Sequence, residues 1–198
     1  MDVTPVAVLG TLAEFHKEPI PYDLNALVSL VSRLHPDLLC LDITPEQWRQ
    51  RSFGGLPPEY REALLPLAYQ TDIVVAPIAG DHPPAEPSAS GWQGKLIRLF
   101  RRWLAALQRT APGPDAINQG IRHLIADLLY SLNAWLAGQK SHRAWQEHTQ
   151  RLTQAVVEVA WRDPGCRILV VVNVRHCHLI RSALRKFPEI NVVNYPDL

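Results

Sequence analysis

The sequence predicts an α/β fold built on a central, mainly parallel sheet with flanking helices, and three observations predict it. Short apolar runs recur at Val6–Gly10 (VAVLG), Leu38–Ile43 (LLCLDI), Asp72–Ala79 (DIVVAPIA) and Ile168–Asn173 (ILVVVN). Each has the length and β-branched content of a strand buried on both faces, as parallel strands are. Between them, apolar residues recur at helical spacing. Strand alternating with helix is the pattern of right-handed crossovers on one parallel sheet.

Taken in order, the first strand ends at Gly10, which permits a tight turn. Thr11–Pro21 reads as a polar loop carrying Glu14, His16, Lys17 and Glu18. Asp23 has the chemistry of an N-cap for a helix whose Leu24, Leu27, Val28, Leu30, Val31 and Leu34 face one side, and His35-Pro36 closes it. The second strand should then lie parallel to the first. Pro45–Arg51 and Pro58–Tyr69 read as short helices separated by Phe53-Gly54-Gly55. The third strand runs into Gly80-Asp81-His82 and a proline- and serine-containing loop over Pro83–Gly91.

Three helices are predicted next, over Trp92–Arg109, from Asp115 to about Ala137, and from beyond the Gly138–Ser141 turn to about Trp161. Asp163-Pro164-Gly165 stops the last of them. The fourth strand, a helix using Leu179, Ile180, Ala183 and Leu184, and a short edge strand at Ile190–Val193 complete the chain. The expectation is a single α/β domain over residues 1–198. A helical insertion at about 92–140, between the third and fourth strands, would cap the carboxyl ends of the strands.

Composition narrows the classes of function. With 47% hydrophobic and 20% charged residues, the 198-residue chain is ordinary for a soluble globular protein. A net charge of +1 gives no global argument for nucleic acid. Three cysteines without a CxxC pair fit a reducing compartment, and the amino terminus lacks the basic start of a secretory signal. The expected setting is cytoplasmic, with no nucleic-acid partner and no stable membrane insertion; exposed tryptophans on a cap would also suit a homodimer. No GxGxxG, GxxxxGK[ST], GxSxG or HExxH occurs, which argues against the commonest nucleotide-binding and hydrolase classes.

In parallel sheets, ligands bind beyond the carboxyl ends of the strands, so the polar residues there are the candidates. They are Glu14, His16 and Glu18 after the first strand, Asp42 after the second, Asp81 and His82 after the third, and His176 and His178 after the fourth. Imidazole with carboxylate can hold zinc, manganese or iron, or perform acid–base chemistry. Each has a plainer reading. Asp42 would equally cap the helix at Pro45, Glu14 and His16 would be polar loop residues, and turn chemistry accounts for Asp81-His82. His176 and His178 share a face only if their segment is extended, and Cys177 between them reads more simply as a buried thiol. The cationic side of Trp92–Arg109 (Lys95, Arg98, Arg101, Arg102, Arg109) would touch anionic lipid or phosphate, or be solvated.

These landmarks resemble the superfamily that includes TraB, Tiki, ChaN and erythromycin-esterase-like proteins. Members open with a strand ending in Gly-Thr near a histidine, as Leu9-Gly10-Thr11 with His16 does here. A strand introduced by Pro-Asp and ending in an acidic residue follows, matched by HPDLLCLDI and Asp42. Near the carboxyl end, a helix with an arginine precedes a strand running into a histidine, matched by Arg151 and by ILVVVNVRH with His176. The resemblance implies a hydrolase with His16, Asp42 and His176 as catalytic residues and Arg151 binding a small-molecule or peptide substrate; Arg175, beside His176, is a further substrate-binding candidate by position. A divalent metal ion would be held by Glu14, His16, Asp42 and His176. The chain departs from the family where Asn173, Val174 and Arg175 replace glycines before the last histidine and Leu12-Ala13-Glu14 displaces the first. That favours the alternative, a non-catalytic ligand-binding or protein-interaction descendant of the fold.

Overall fold

The computed structural model describes residues 3–79 and 90–198. Its centre is a five-stranded, all-parallel sheet in the order β3-β2-β4-β1-β5. The strands are β1 (Thr4–Thr11), β2 (Leu38–Leu41), β3 (Val74–Pro77), β4 (Ile168–Asn173) and β5 (Ile190–Val193). The helices are α1 (Leu24–Leu34), α2 (Pro45–Gln50), α3 (Leu65–Gln70), α4 (Gly91–Arg109), α5 (Pro114–Asn118), α6 (Gly120–Leu136), α7 (Gln139–Arg162) and α8 (Val174–Leu184). The strand predicted to be the edge, β5, is at an edge. β1 and β2 are parallel as predicted but not neighbours, because β4 lies between them, pairing Val170 with both Val8 and Cys40.

Side chains alternate across the sheet into two cores. Ala7, Leu9, Leu39, Leu41, Leu169 and Val171 pack with α1, α3 and the turn before α3. Val6, Val8, Cys40, Ile168, Val170 and Val172 pack on the other face with α7 and α8. Central β4 is covered on both faces, which is why its sequence is a continuous apolar run rather than an alternating one.

Local chemistry sets the element ends. The Asp23 side chain accepts from the Ala26 N–H at 2.8 Å, and His35 closes α1 in the left-handed region at φ 45°. Thr44 and Gln47 form a reciprocal capping box on α2, so Asp42 is not that helix's cap. The helix predicted over Pro58–Tyr69 is a π-helical turn, Glu59–Leu64, running into α3. Pro66 has no N–H to give, and the ladder widens just before it, with the Leu65 N–H reaching Tyr60 O. The helix predicted from Asp115 to Ala137 is two, because Gly120 turns the chain at φ 74°. Asp81, His82 and most of the predicted Pro83–Gly91 loop lie outside the described residues.

Two expectations about strand ends are corrected. Gly10 does not make a turn: it is a strand residue paired with Val172, and β1 continues to Thr11. Its small size serves close approach. A Cβ built on it would lie 2.9 Å from Val174 Cα and 3.0 Å from both Asn118 Oδ1 and Cys177 Sγ. The Arg175–His178 cluster does lie at the carboxyl end of β4, but it is not extended, so His176 and His178 do not share a face. α8 begins at Val174, with the Asn173 side chain accepting from the Arg175 N–H, so all four residues are helical. His176 and Cys177 are buried and His178 is exposed, because one helical step points them apart.

Gly10→Ala should therefore lower stability by roughly 1–3 kcal/mol through overpacking against backbone, read as a fall in the urea midpoint at unchanged slope. Gly54→Ala, with open space around it, should stay within about 0.5 kcal/mol of the parent.

Candidate functional site

A cavity of about 320 Å³ lies at the carboxyl ends of β1 and β4. Leu12 and Ala13, which follow β1, and Asn173 and Arg175 at the β4–α8 junction form one side. The opposite side comes from the helices between β3 and β4: Arg101, Leu104 and Gln108 of α4, Tyr130 and Asn133 of α6, and Ser141 and Trp145 of α7. Ala13 adopts φ 51°, unusual for a residue with a Cβ, and so bends the chain from β1 into a 3-10 turn, Ala13–Lys17, at the cavity edge.

The polar lining is one-sided in chemistry. Arg101 and Arg175 are cationic, the amides Gln108, Asn133 and Asn173 and the hydroxyls Tyr130 and Ser141 are neutral, and no carboxylate is among the described residues that line the cavity. Gln108 Nε2 donates to Tyr130 Oη at 2.7 Å. Asn133 is buried, and its Oδ1 has no hydrogen-bond partner. A buried amide end left unpaired costs about 1–3 kcal/mol, and a bound molecule filling the cavity would relieve it.

Behind the Arg175 wall sits His176, completely buried. The Arg175 Nε–H donates to His176 Nε2 at 3.0 Å, and a guanidinium can only donate. The ring hydrogen is therefore on Nδ1, which donates to Thr149 Oγ1 at 2.8 Å; that hydroxyl passes its own hydrogen to Trp145 O. Burial above all, then the Arg175 charge and His148, holds the His176 pKa well below the ordinary histidine value. His176 is a neutral ring with both nitrogens engaged.

His16 has the same character. The Leu12 N–H donates to its Nε2 at 2.9 Å, and its Nδ1–H donates to Tyr22 O at 2.8 Å, so the ring staples the loop that follows β1. Burial pushes its pKa down to about 4. Glu14 is exposed, and Arg151 projects from α7 away from that helix's buried face. The structure thus brings Arg175 to the cavity and His176 behind it, while His16, Glu14 and Arg151 each lie elsewhere.

Asp42 meets a partner that sequence reasoning missed. His148, buried on α7, places Nε2 3.4 Å from Asp42 Oδ2, and its ring centroid lies 5.2 Å from that of His176. His148 Nδ1 is buried without a partner. The signal in the sequence was slight: a histidine on the helical stripe that continues through Leu152, Val156 and Val157.

The metal-ligand set implied by resemblance does not fit these residues. Both nitrogens of His16 and of His176 are committed to other partners, and Glu14 points to solvent. Among the described residues, three ligating atoms come within 4.8 Å of one another only at His123, Asp127 and His178, between α6 and α8. There the Arg181 guanidinium lies 3.3 Å from His123 Nε2, a fixed positive charge beside the space a cation would occupy. Arg181 also bonds Val8 O and Asn118 O, which ties it in place. Burial raises the Asp127 pKa to about 6, and burial together with Arg181 lowers that of His123 to about 4.

Fold and cavity define the chain as a parallel α/β protein with a pocket between strand ends and helices. No family model, curated protein or solved structure matches it.

The buried histidines imply a pH dependence of stability. Where a folded-state pKa lies below the unfolded value near 6.5, the unfolded chain binds more protons between the two, so stability is complete above about 6.5 and falls as pH drops through that window. His16, His123 and His176 all act in this sense. Asp127, raised to about 6, and Glu59, raised by burial, act in the opposite sense above their unfolded values. Three against two, unfolding free energy should fall by roughly 1–3 kcal/mol per pH unit between pH 6 and 5, measured by urea denaturation. A flat profile would show that these rings are not held neutral.

Proposed function

We propose that this protein binds a small anionic, partly apolar molecule in the cavity, with the helices after β3 acting as its cap. The observation carrying this reading is the wall chemistry: Arg175 and several neutral polar groups, an unpaired buried amide at Asn133, and no carboxylate among the described lining residues. Arg175 would meet the anionic group, since a guanidinium engages a carboxylate or phosphate through paired donors. Leu12, Phe15, Leu104 and Trp145 would cover the apolar body. The volume is at the lower end of small-molecule sites, which suits a compact ligand rather than a peptide. His176, held neutral by burial above all and hydrogen-bonded to Thr149 and Arg175, orients Arg175 rather than transferring protons.

The test is a calorimetric and thermal-shift screen of small aromatic and aliphatic carboxylates and phosphates against their neutral amides. The anions should raise the melting temperature and the amides should not. Arg175→Ala should weaken binding of the best anion by roughly 10–100-fold, the scale of one charge-assisted contact. Equal binding of amide and anion would overturn the reading.

A second reading, a hydrolase of the type the resemblance implies, rests on the Asp42–His148 pair. A carboxylate beside an imidazole nitrogen, with the other nitrogen unpartnered, is the arrangement of an oriented general base. It would serve a substrate reaching past the Arg175 wall. Asp42→Asn and His148→Ala should then each cut any ester or amide hydrolysis by at least about 100-fold. Rates unchanged by both would end this second reading.

A further inference from the structure

The largest unexplained feature lies on the outside of the helices between β3 and β4. Of the twelve large hydrophobic side chains that are exposed among the described residues, eight belong to α4 and α6. On α6, Ile121, Leu124, Ile125, Leu128 and Trp135 follow one another at helical spacing, and Ile121 is 75% and Trp135 70% exposed. The opposite face of the same helix, through Ala126, Leu129 and Asn133, is buried. A helix apolar on both faces is normally covered on both. On α4, Trp92, Leu99 and Trp103 are exposed. The two helices pack together through Leu104, Phe100 and Leu107 against Ala126, Leu129 and Tyr130, with the Trp103 ring centroid 5.8 Å from that of Phe100 and the rings tilted. The exposed apolar side chains thus belong to two helices that are packed against each other.

Charge decides what could cover this face. α4 carries five of the chain's twenty Lys and Arg residues and none of its nineteen Asp and Glu. Arg109 is paired with Glu18, whereas Lys95, Arg98 and Arg102 stand exposed on the flank of the apolar stripe. The acid on α6, Asp127, has most of its side chain turned inward. In a two-fold dimer through this face, the cationic flank of one copy would confront the same surface of the other, and the described residues of α4 and α6 offer no exposed carboxylate to receive it. An anionic bilayer meets both requirements at once. Its acyl boundary takes the apolar stripe, tryptophans settle at headgroup depth, and flanking cations reach lipid phosphates. No helix among the described residues is long and apolar enough to cross a membrane, so the contact would be peripheral.

We propose that the outer face of α4 and α6 docks this protein onto an anionic membrane surface, with Trp92, Trp103 and the α6 stripe in the interface and Lys95, Arg98 and Arg102 on its phosphates. The proposal is independent of any ligand in the cavity.

The experiment is flotation of the full chain with phosphatidylcholine vesicles, with and without 30% (about one lipid in three) phosphatidylglycerol, followed also by tryptophan fluorescence. Binding should be at least roughly tenfold stronger to the anionic vesicles, with a blue-shifted emission, and should weaken with added salt. The Lys95→Gln, Arg98→Gln, Arg102→Gln triple variant should lose roughly a hundredfold in partitioning. Leu124→Glu with Leu128→Glu, both exposed and so compatible with folding, should abolish the blue shift. Absence of binding, or equal binding to neutral vesicles, would overturn the proposal. So would light scattering that shows a dimer dissociated by Leu124→Glu in a chain that ignores vesicles, since the face would then join two copies.

Discussion

The contact on which the rest depends is the close approach at Gly10. Because no Cβ stands there, Val174 at the start of α8 and Asn118 at the end of α5 reach the backbone of β1. The Asn118 side chain accepts from the Gly10 N–H and donates to its carbonyl, while the Tyr22 hydroxyl donates to the same carbonyl. Arg181, one face further along α8, ties Val8 O to Asn118 O. Three segments far apart in sequence thus converge on the last turn of one strand. Their convergence sets the spacing between the β1 exit and the β4–α8 junction, and the cavity floor is that spacing. A larger residue would separate α8 from the sheet and move Arg175 with it.

Burial then shapes the chemistry at this end of the sheet. Removing imidazoles from water disfavours their charged form, and in both His16 and His176 one ring nitrogen accepts an N–H bond, as only a neutral ring can. A ring with both nitrogens engaged neither collects a proton nor coordinates a metal without first losing a bond. Arg175, by contrast, is a donor-only guanidinium at the cavity wall, and the histidines behind it act as neutral struts. This asymmetry is what favours an anion held in place over a reaction at the same point.

How much of this was legible follows from the range of each interaction. Strands β1, β2, β3 and β4 were readable because burial on both faces demands continuous apolar runs, and Asp23 and His35 marked α1 because caps are local. The split at Gly120 and the π-turn before Pro66 were harder to place, since a glycine or proline inside a helical pattern permits several outcomes. Placing the polar residues needed the third dimension. Arg175 was found because it adjoins a strand end, where geometry is nearly fixed. His148 was missed because only a long helix brings it back to Asp42, 106 positions earlier. Asn133, Gln108 and Tyr130 belong to helices whose position over the sheet no local pattern encodes.

The two faces of α4 bear on each other. Leu104 and Gln108 turn toward the cavity, while Trp92, Leu99 and Trp103 turn outward from the same rod of backbone. A helix moves as a unit over this length, so any displacement that opens the cavity also moves the outer face. By linkage, a surface that holds α4 in one position must change ligand affinity by the same factor that ligand changes surface affinity. That factor is one if α4 is equally placed in both states, and differs from one only through the packing of Leu104, Phe100 and Leu107 on α6. The small α4–α6 core, rather than the sheet, is therefore where communication between the pocket and the exterior would be decided.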